Sequence, residues 1–272
     1  MANVIHRRSD CRGCGGRNLE LMFSLKPSPI GDAYVLPEKV NIPQPSYPID
    51  LHICADCGFA QILDVIDPEI LYGEYIYVTG SSVGLPEHFL SYAEGVINRC
   101  RLKPGSLVVD IGSNDGTLLQ CFKKHGMSVL GVEPASHIAA HATANGVKTL
   151  ARFFSPALAG EIVAETGAAS VITSNNVFAN IDDLTSWVAA IGELLASDGV
   201  YVFESFYLAD VVRNMVFDFI YHEHLSAFSV KPIKALFERA GLELIAVEHV
   251  ATKGGSLRYF VQRPGGPLKN DG

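Results

Sequence analysis

The segment Leu107-Val-Val-Asp-Ile-Gly-Ser-Asn-Asp-Gly-Thr-Leu118 is the most informative part of this chain about its fold. It begins with an apolar run typical of a buried strand, and a segment with helical periodicity follows it. Between the two lie Gly112 and Gly116, which allow a ligand to approach the backbone closely. Such a turn also presents backbone N–H groups at the N-terminus of the helix. The stretch therefore predicts a strand, a turn suited to binding and a helix in succession.

Outward from this turn, strand-like and helical segments alternate along the chain. The predicted strands cover residues 106–111, 128–132, 169–173 and 199–204, with a late pair at 242–249 and 257–262. The predicted helices cover residues 86–100, 117–125, 137–145, 184–195 and 231–240. Strands that alternate with helices imply an α/β fold in which a mostly parallel sheet is covered on both faces.

The composition excludes several classes of protein. Hydrophobic residues make up 48% of the 272 residues and charged residues 18%, so the chain can bury a sizeable core and is not globally disordered. The formal charge of -8 argues against a broad nucleic-acid-binding surface. No apolar run reaches the roughly 18 to 20 residues that a membrane helix needs. Because residues 1–14 also lack the apolar stretch of a signal peptide, we expect a cytoplasmic protein without a membrane partner.

The N-terminal part carries two pairs of cysteines, Cys11-Arg-Gly-Cys14 and Cys54-Ala-Asp-Cys57, each followed by a glycine. This spacing lets four thiolates reach one tetrahedral zinc ion, and four cysteines leave no open position for a reacting ligand. The alternatives are unrelated free thiols or a redox pair, but neither pair opens a helix after a strand. Six prolines between Pro27 and Pro48 block helix interiors and central strands. We therefore predict a small module, residues 1–75, that is stabilised by structural Zn²⁺.

Two acidic residues accompany the glycine-rich turn. Asp110 lies at the end of the first strand, and Glu133 ends the second in Gly131-Val-Glu-Pro134, where an acid accepts hydrogen bonds from ribose hydroxyls. The turn is not the GxGxxG fingerprint of dinucleotide sites, and an Asp within it would repel a diphosphate. It resembles motif I of the class I S-adenosylmethionine (SAM) methyltransferases, with a nicotinamide dinucleotide as the alternative cofactor. The cofactor-binding residues that this resemblance implies are Asp110, Gly112, Asn114, Gly116, Glu133 and Pro134.

Two further segments resemble parts of the same fold. Residues 174–183 resemble the segment that lines the methyl-transfer face, which implies that Asn175 and Asn176 contact the cofactor. Arg152-Phe153-Phe154 occupies the place where the adenine is usually held. Phe153 could stack on the adenine ring, although a buried aromatic residue is more often part of the core. The expected architecture is a Rossmann-like SAM-methyltransferase domain, residues 76–272, preceded by the zinc-binding module.

Tyr221-His-Glu-His224 is a dense group of side chains suited to acid–base chemistry. A histidine can take up a proton near neutral pH, and a neighbouring Tyr or Glu can orient it or polarise a carbonyl group. Two other interpretations stay open from these residues alone. His222 and His224 could bind a metal ion, or the group could be a polar loop with one hydrogen-bonded histidine.

The order of the motifs resembles the zinc-containing sugar C-methyltransferases of deoxysugar biosynthesis. The cysteine pairs come first, followed by a tyrosine-rich segment at 72–82, the SAM turn, Tyr221-His-Glu-His224 and Lys253-Gly-Gly-Ser-Leu-Arg258. The resemblance implies methylation of a carbon of a nucleotide-linked 4-keto-6-deoxysugar. It implies His224 as the general base, Tyr221 and Glu223 as supporting residues, and Tyr77 as a phenol that faces the substrate.

The chain departs from that family in two respects. Asn180 stands where many relatives have a histidine, and the family continues through another C-terminal α/β domain beyond the position of Gly272. We therefore expect either a missing C-terminal domain or a partner subunit. Two other functions remain as alternatives. One is methylation of oxygen or nitrogen in another small molecule, and the other is a non-catalytic zinc- and SAM-binding subunit.

Overall fold

A computed structural model describes residues 4–31, 35–73 and 75–271, which form three β-sheets and eight α-helices. The strands are β1 Ile5–Arg7, β2 Leu19–Ser28, β3 Tyr47–Cys54, β4 Ala60–Ile62, β5 Asp64–Ile66, β6 Leu107–Ile111, β7 Ser128–Val132, β8 Thr149–Leu150, β9 Ala169–Asn175, β10 Leu195–Phe206, β11 Ser226–Ala227, β12 Glu243–Val250 and β13 Ser256–Gln262. The α-helices are α1 Pro68–Tyr72, α2 Leu85–Cys100, α3 Thr117–Lys124, α4 Ser136–Ala144, α5 Pro156–Thr166, α6 Leu184–Leu194, α7 Leu208–Asn214 and α8 Val230–Arg239. Short 3₁₀ helices cover Pro37–Lys39, Thr79–Ser81, Phe178–Asn180, Phe217–Phe219 and Thr252–Gly254.

The central sheet has seven strands in the order β12-β13-β10-β9-β6-β7-β8. The five strands from β10 to β8 pair in parallel, and β13 is antiparallel to both of its neighbours. The chain runs outward from β6 to β8 and then returns to β9 on the other side of β6. Open α/β sheets bind their ligands at the carboxyl ends of the strands where the order reverses in this way. The predicted α/β fold with a mostly parallel sheet is confirmed, and the reversal places a crevice between β6 and β9.

The predicted helices and strands are all present with bounds shifted by a few residues, but three helices were missed: the five-residue α1, α5 and α7. Helix α5 begins at Pro156, after Ser155, whose hydroxyl accepts the Leu158 N–H at 3.2 Å. This Ser-Pro start is a recognisable N-terminal signal. Helix α7 has only seven residues, too few for a clear periodicity. Among the described helices, none has both the length and the apolar character needed to cross a membrane.

The N-terminal part forms more regular sheet than its prolines suggested. Strands β2, β3 and β4 pair in antiparallel order, and β1 pairs separately with β5. Pro27 lies in β2, which is an edge strand of its sheet, and Pro48 is the second residue of β3. Edges and strand starts tolerate a residue that has no backbone N–H. The prolines therefore limit where these strands can lie without preventing them.

The N-terminal sheet takes its fourth strand from a distant part of the chain. Strand β11 pairs with β4, so that Ser226 lies opposite Gln61. The two parts also share apolar contacts, because the rings of Phe59 and Phe228 lie 5.9 Å apart and Phe228 packs at 5.2 Å from Phe178. The division into residues 1–75 and 76–272 stays a prediction, and the segment 226–227 belongs structurally to the N-terminal sheet.

Candidate active site

A cavity of about 610 Å³ opens at the carboxyl ends of β6 and β9. This volume lies in the range of about 300–1,000 Å³ that is typical of small-molecule sites. It is lined by nearly all of the predicted site residues: Tyr77, Gly112, Asn114, Glu133, Pro134, Phe153, Asn175, Asn176, Tyr221, Glu223 and His224. The structure thus brings the predicted catalytic and cofactor-binding groups to one cavity.

Among the predicted catalytic and cofactor-binding residues, Asp110 and Gly116 do not line this cavity. The buried Asp110 carboxyl accepts a hydrogen bond from Thr173 Oγ1 at 2.6 Å. Burial raises the pKa of Asp110 to about 7, although the Thr173 bond acts in the opposite direction. Gly116 precedes α3 with φ +80°, and a Cβ at this position would lie 3.2 Å from Val147. Both residues shape the turn, and neither offers an atom to the cavity.

The glycine-rich turn is tied to the end of β7 through Glu133. Its buried carboxylate accepts the N–H groups of Asn114 at 3.0 Å and of Ala135 at 2.9 Å. Burial raises the pKa of Glu133, and these two N–H groups oppose that shift. A carboxylate has about four lone-pair positions, so Glu133 can still accept hydrogen bonds from ribose hydroxyls. The turn and this acid therefore fit the nucleoside part of SAM.

Gly112 has φ +73°, and a Cβ added there would lie 2.3 Å from Val177 Cγ2. We expect Gly112→Ala to destabilise the fold by about 2–3 kcal/mol and to weaken SAM binding, because strain and a clash act together. Gly105 is a matched control, since it has φ +85° but no neighbouring atom within 4 Å of the added Cβ. Gly105→Ala should show only the strain, about 1 kcal/mol. Urea denaturation and calorimetric titration with SAM measure both effects.

Removing the clash with Val177 separates the effect of backbone strain from the effect of close packing. The double variant Gly112→Ala/Val177→Ala should recover part of the lost stability. Equal losses for Gly112→Ala and Gly105→Ala would contradict a role for close packing against Val177.

Asn114 uses its side chain to hold residues 77–80, which we call the strap. Its Oδ1 accepts the Thr79 N–H at 2.8 Å, and its Nδ2 donates to the Tyr77 carbonyl at 2.9 Å. Asp115 adds a bond from the Gly80 N–H at 2.8 Å. The turn that was expected to hold the cofactor therefore also positions Tyr77. No motif predicts this second role, since the contact joins residues 35 or more positions apart.

The remaining predicted cofactor residues lie on three other segments of the wall. Pro134 follows Glu133 after β7, and the half-exposed Phe153 lies just before α5. Asn175 ends β9, and its Oδ1 accepts the Glu204 N–H at 3.1 Å. Asn176 has φ +57°, a conformation that Asn adopts more readily than most residues. These residues enclose the part of the cavity that adjoins the glycine-rich turn.

His224 is held in one orientation by its neighbours. Its Nδ1 lies 2.7 Å from the carbonyl oxygen of Phe219, which requires the proton on Nδ1 and leaves the Nε2 lone pair unprotonated. The ring packs 4.8 Å from Phe206 and 4.5 Å from Tyr221. Burial lowers the pKa of His224 to about 4, with a smaller contribution in the same direction from Lys253. At neutral pH, this imidazole is uncharged and able to accept a proton.

The other predicted catalytic residues surround the same end of the cavity. Tyr221 lies edge-on to His224, and Glu223 is buried at 3% exposure. The hydroxyl of Tyr77 lies 2.8 Å from that of Ser82. Tyr72 also lines the wall, and its pKa is raised by burial and by the charge of Glu223. Phenols and a carboxyl group therefore lie next to the neutral imidazole.

His222 points away from this group. It does not line the cavity, and its Nε2 lies 3.3 Å from the carbonyl oxygen of Tyr47. Within the described part of the chain, the four cysteines form the one group of side chains that could hold a metal ion. The structure therefore gives no support to a metal site at His222 and His224.

Lys253 is a cavity residue to which sequence analysis gave no role. Its Nζ lies 5.7 Å from the centre of the Tyr77 ring, on the side of the cavity that holds His224. The segment that begins at Lys253 was part of the family resemblance, but that resemblance did not suggest a chemical role for Lys253. Tyr72 and Asn180 line the same wall and were likewise left without a predicted role.

We expect Lys253→Met to move the acid limb of the kcat/KM profile to higher pH by about half to one unit. The positive charge of Lys253 lowers the pKa of His224, so its removal lets that pKa rise towards the usual 6.5. As the predicted base, His224 acts in its neutral form, and a higher pKa means that it is protonated at a higher pH. The matched control is Lys253→Arg, which keeps the charge and should keep the limb in place. An unchanged limb in Lys253→Met would contradict this electrostatic coupling.

The four predicted zinc ligands also come together. The Sγ atoms of Cys11 and Cys57 lie 3.7 Å apart, as do those of Cys14 and Cys54, and all four lie within 4.8 Å of one another. A tetrahedral ion with Zn–S bonds of about 2.3 Å places its sulfurs about 3.8 Å apart. We call this group the four-cysteine site, and its geometry fits a structural zinc ion.

The comparisons with known proteins agree with both parts of this description. A family profile described as "Methyltransferase domain" matches residues 87–247, and one described as "Putative zinc binding domain" matches residues 11–72. C-methyltransferase NovU from Streptomyces niveus is 31% identical over 260 residues, which is 96% of this chain. The chain spans 62% of the length of that curated relative.

Solved structures share the fold at low identity. An S-adenosylmethionine-dependent methyltransferase from Clostridium acetobutylicum superposes with TM-score 0.52 and 13% identity, over 66% of this chain and 92% of that one. The magnesium protoporphyrin IX methyltransferase ChlM from Synechocystis PCC 6803 gives 0.51 and 14%, over 66% and 84%. The methyltransferase profile covers more than half of the chain, and the solved structures share the fold of this part of the chain. The chain belongs to the methyltransferase family, has the fold of the class I SAM-dependent enzymes and carries an N-terminal domain whose four cysteines fit zinc.

Proposed function

We propose that this chain is a SAM-dependent C-methyltransferase of deoxysugar biosynthesis, acting on the carbon next to the ketone of a nucleotide-linked 4-keto-deoxysugar. The observation that carries the proposal is a neutral His224, with its Nε2 lone pair unprotonated, in the same cavity as the glycine-rich turn. The 31% identity to a relative named as a C-methyltransferase supports carbon as the methyl acceptor.

The chain's own residues account for activation of the acceptor. A hydrogen on the carbon next to a ketone is acidified by the carbonyl group, and His224 Nε2 removes it as a proton. The Nδ1 bond to the Phe219 carbonyl keeps the ring in the required tautomer and stabilises the imidazolium that forms. The proton then leaves to solvent before the next turnover.

Removal of that proton places negative charge on the ketone oxygen, which must be stabilised within the cavity. Tyr221 and Tyr77 offer phenolic O–H donors, and Lys253 supplies a positive charge on the same side. Preorganised donors and charges of this kind stabilise an enolate without rearrangement during the reaction. Glu223, which lies close to Tyr72, orients this group of phenols.

We assign the methyl donor to the part of the cavity wall formed by the glycine-rich turn and its neighbours. The close approach at Gly112 and the acceptor oxygens of Glu133 suit the nucleoside, with Phe153, Asn175 and Asn176 beside it. When bound there, SAM supplies an electrophilic methyl group to the enolate carbon. The rate depends on holding this carbon in line with the methyl group, since proximity and orientation supply much of the acceleration.

The activity of the whole protein forms part of the proposal. The relative NovU is longer than this chain, so we propose that a further domain or a partner subunit helps to hold the nucleotide of the substrate. Reduced cysteines that bind zinc accord with a cytoplasmic location. The end of the zinc-binding module at residue 75 is likewise part of the proposal.

The test is a reaction that contains the protein, SAM and a panel of thymidine-diphosphate 4-keto-6-deoxysugars, followed by mass spectrometry. The expected product is heavier than the sugar by one methylene, and nuclear magnetic resonance should place the new methyl group on carbon. In deuterated water with S-adenosylhomocysteine in place of SAM, the enzyme should exchange the proton next to the ketone. This exchange reports on the base without methyl transfer.

The outcomes distinguish the alternatives. A methyl group found on oxygen or nitrogen would replace the proposal with the other class of methyltransferase. Conversion of SAM without a sugar product would indicate a different acceptor. Binding of SAM with neither exchange nor turnover would indicate a subunit that depends on a partner.

A further inference from the structure

Arg12 lies between two predicted zinc ligands, yet its side chain leaves the four-cysteine site and is completely buried. It extends to the contact between β4 and the end of residues 219–225. We call residues 219–225 the base loop, because they contain His224. An arginine in this position connects the metal-binding module to the cavity wall.

The guanidinium makes its contacts on both sides of this junction. Nη1 donates to Gln61 Oε1 at 3.1 Å, to the Ile62 carbonyl, and to the Leu225 carbonyl at 3.3 Å. Nε donates to Asp182 Oδ1 at 2.9 Å, and Asp182 lines the cavity. Hydrogen bonds from a charged donor are stronger and more specific in geometry than neutral ones.

The Leu225 carbonyl is the important acceptor, because Leu225 directly follows His224. The same oxygen also accepts the Ile62 N–H at 2.9 Å. Two donors, Arg12 and the β4 residue Ile62, therefore hold the Leu225–Ser226 peptide bond, one residue beyond His224. The pairing of Ser226 with Gln61 continues this attachment. On the other side, the ring of His224 is fixed through Phe219.

We propose that Arg12 is a positioning residue, which fixes the base loop to the four-cysteine site and so places His224 against the substrate carbon. The module that binds zinc thereby contributes to the chemistry without touching the substrate. This inference rests on the proposed function, in which His224 is the base.

The test compares Arg12→Lys with Arg8→Lys in the full chain loaded with zinc. Lysine keeps the charge but cannot reach Gln61, Asp182 and Leu225 together. Arg8 is a matched control because it also binds Asp182, at 3.1 Å, but within the described part of the chain its side chain bonds to Asp10 and Asp182 and not to the base loop. Arg12→Lys should lower kcat about 10- to 100-fold with little change in KM for SAM. Arg8→Lys should keep kcat close to that of the wild type.

A second readout does not depend on turnover. Hydrogen–deuterium exchange followed by mass spectrometry should show faster exchange of residues 219–229 in Arg12→Lys, with unchanged zinc content and unchanged exchange around the turn at 112–116. If Arg12→Lys does not fold, Gln61→Met removes one acceptor of the guanidinium and should give the same pattern.

Unchanged exchange of residues 219–229 in Arg12→Lys and in Gln61→Met would overturn the inference. Equal losses of kcat in the Arg12 and Arg8 variants would also overturn it. Faster exchange without any effect on a demonstrated C-methylation would show that the loop is held by Arg12 but that His224 is not the base. That outcome contradicts the proposed function and is distinct from failure of the attachment itself.

Discussion

We expect His224→Gln to lower kcat by about 10²- to 10⁴-fold, the range that a positioned general base contributes. Gln can still donate a hydrogen bond to the Phe219 carbonyl, but it has no lone pair basic enough to take the substrate proton. SAM affinity should stay close to that of the wild type, because His224 belongs to the base loop, whereas the groups that suit the nucleoside lie on the glycine-rich turn and at the end of β7. Single-turnover kinetics and calorimetric titration with SAM measure the two quantities separately.

The base loop offers a matched control for this substitution. His222 is buried in the same loop, but it faces the Tyr47 carbonyl and does not line the cavity. His222→Gln should therefore keep kcat near the wild-type value and show, at most, a loss of stability. Similar losses of kcat in both variants would indicate that the loop as a whole is damaged. Retained turnover in His224→Gln would remove His224 from the role of base.

Removal of zinc should have the other large effect. Small zinc-binding domains gain an apparent 10–16 kcal/mol, on the order of their whole folding energy, from the metal. A chelator or Cys57→Ser should therefore unfold the sheet formed by β2, β3, β4 and β11. Because β11 follows the base loop, turnover should fall with the zinc content. Circular dichroism, thermal denaturation and elemental analysis of zinc follow these changes.

The two remaining cysteines provide the control for this prediction. Cys100 and Cys121 lie outside the four-cysteine site, so their conversion to serine should leave the zinc content at one ion per chain. Zinc-free protein that keeps its thermal stability would contradict a structural role for the metal. Loss of zinc in Cys100→Ser would contradict the assignment of the four ligands.

Together, the two predictions describe a site built from two parts of the chain. The glycine-rich turn and Glu133 come from the parallel sheet, whereas the base loop is attached to the N-terminal sheet through Leu225. The strap with Tyr77 is held to the turn by Asn114. A substitution that disturbs either part should therefore lower turnover, because it changes the relative placement of these groups.

The features that could be predicted from the sequence depend on residues close to one another along the chain. Spacings of a few residues are enough to recognise three features: the strand–turn–helix around Gly112, the alternation of strands and helices, and the two cysteine pairs. Backbone conformation and metal geometry are settled at that range. The placement of nearly all predicted site residues around one cavity follows, because parallel strands bring their carboxyl ends to one edge.

The contacts between residues far apart along the chain could not be predicted and are visible only in the folded structure. The contact of Arg12 with Leu225 spans 213 positions, and β11 completes a sheet formed by residues far earlier in the chain. The choice between His222 and His224 depends on which carbonyl each ring meets, Tyr47 for one and Phe219 for the other. Such contacts leave no period or spacing in the sequence, because they arise from the packing of whole elements. The sequence thus predicted the candidate groups, and packing determines which of them face the cavity.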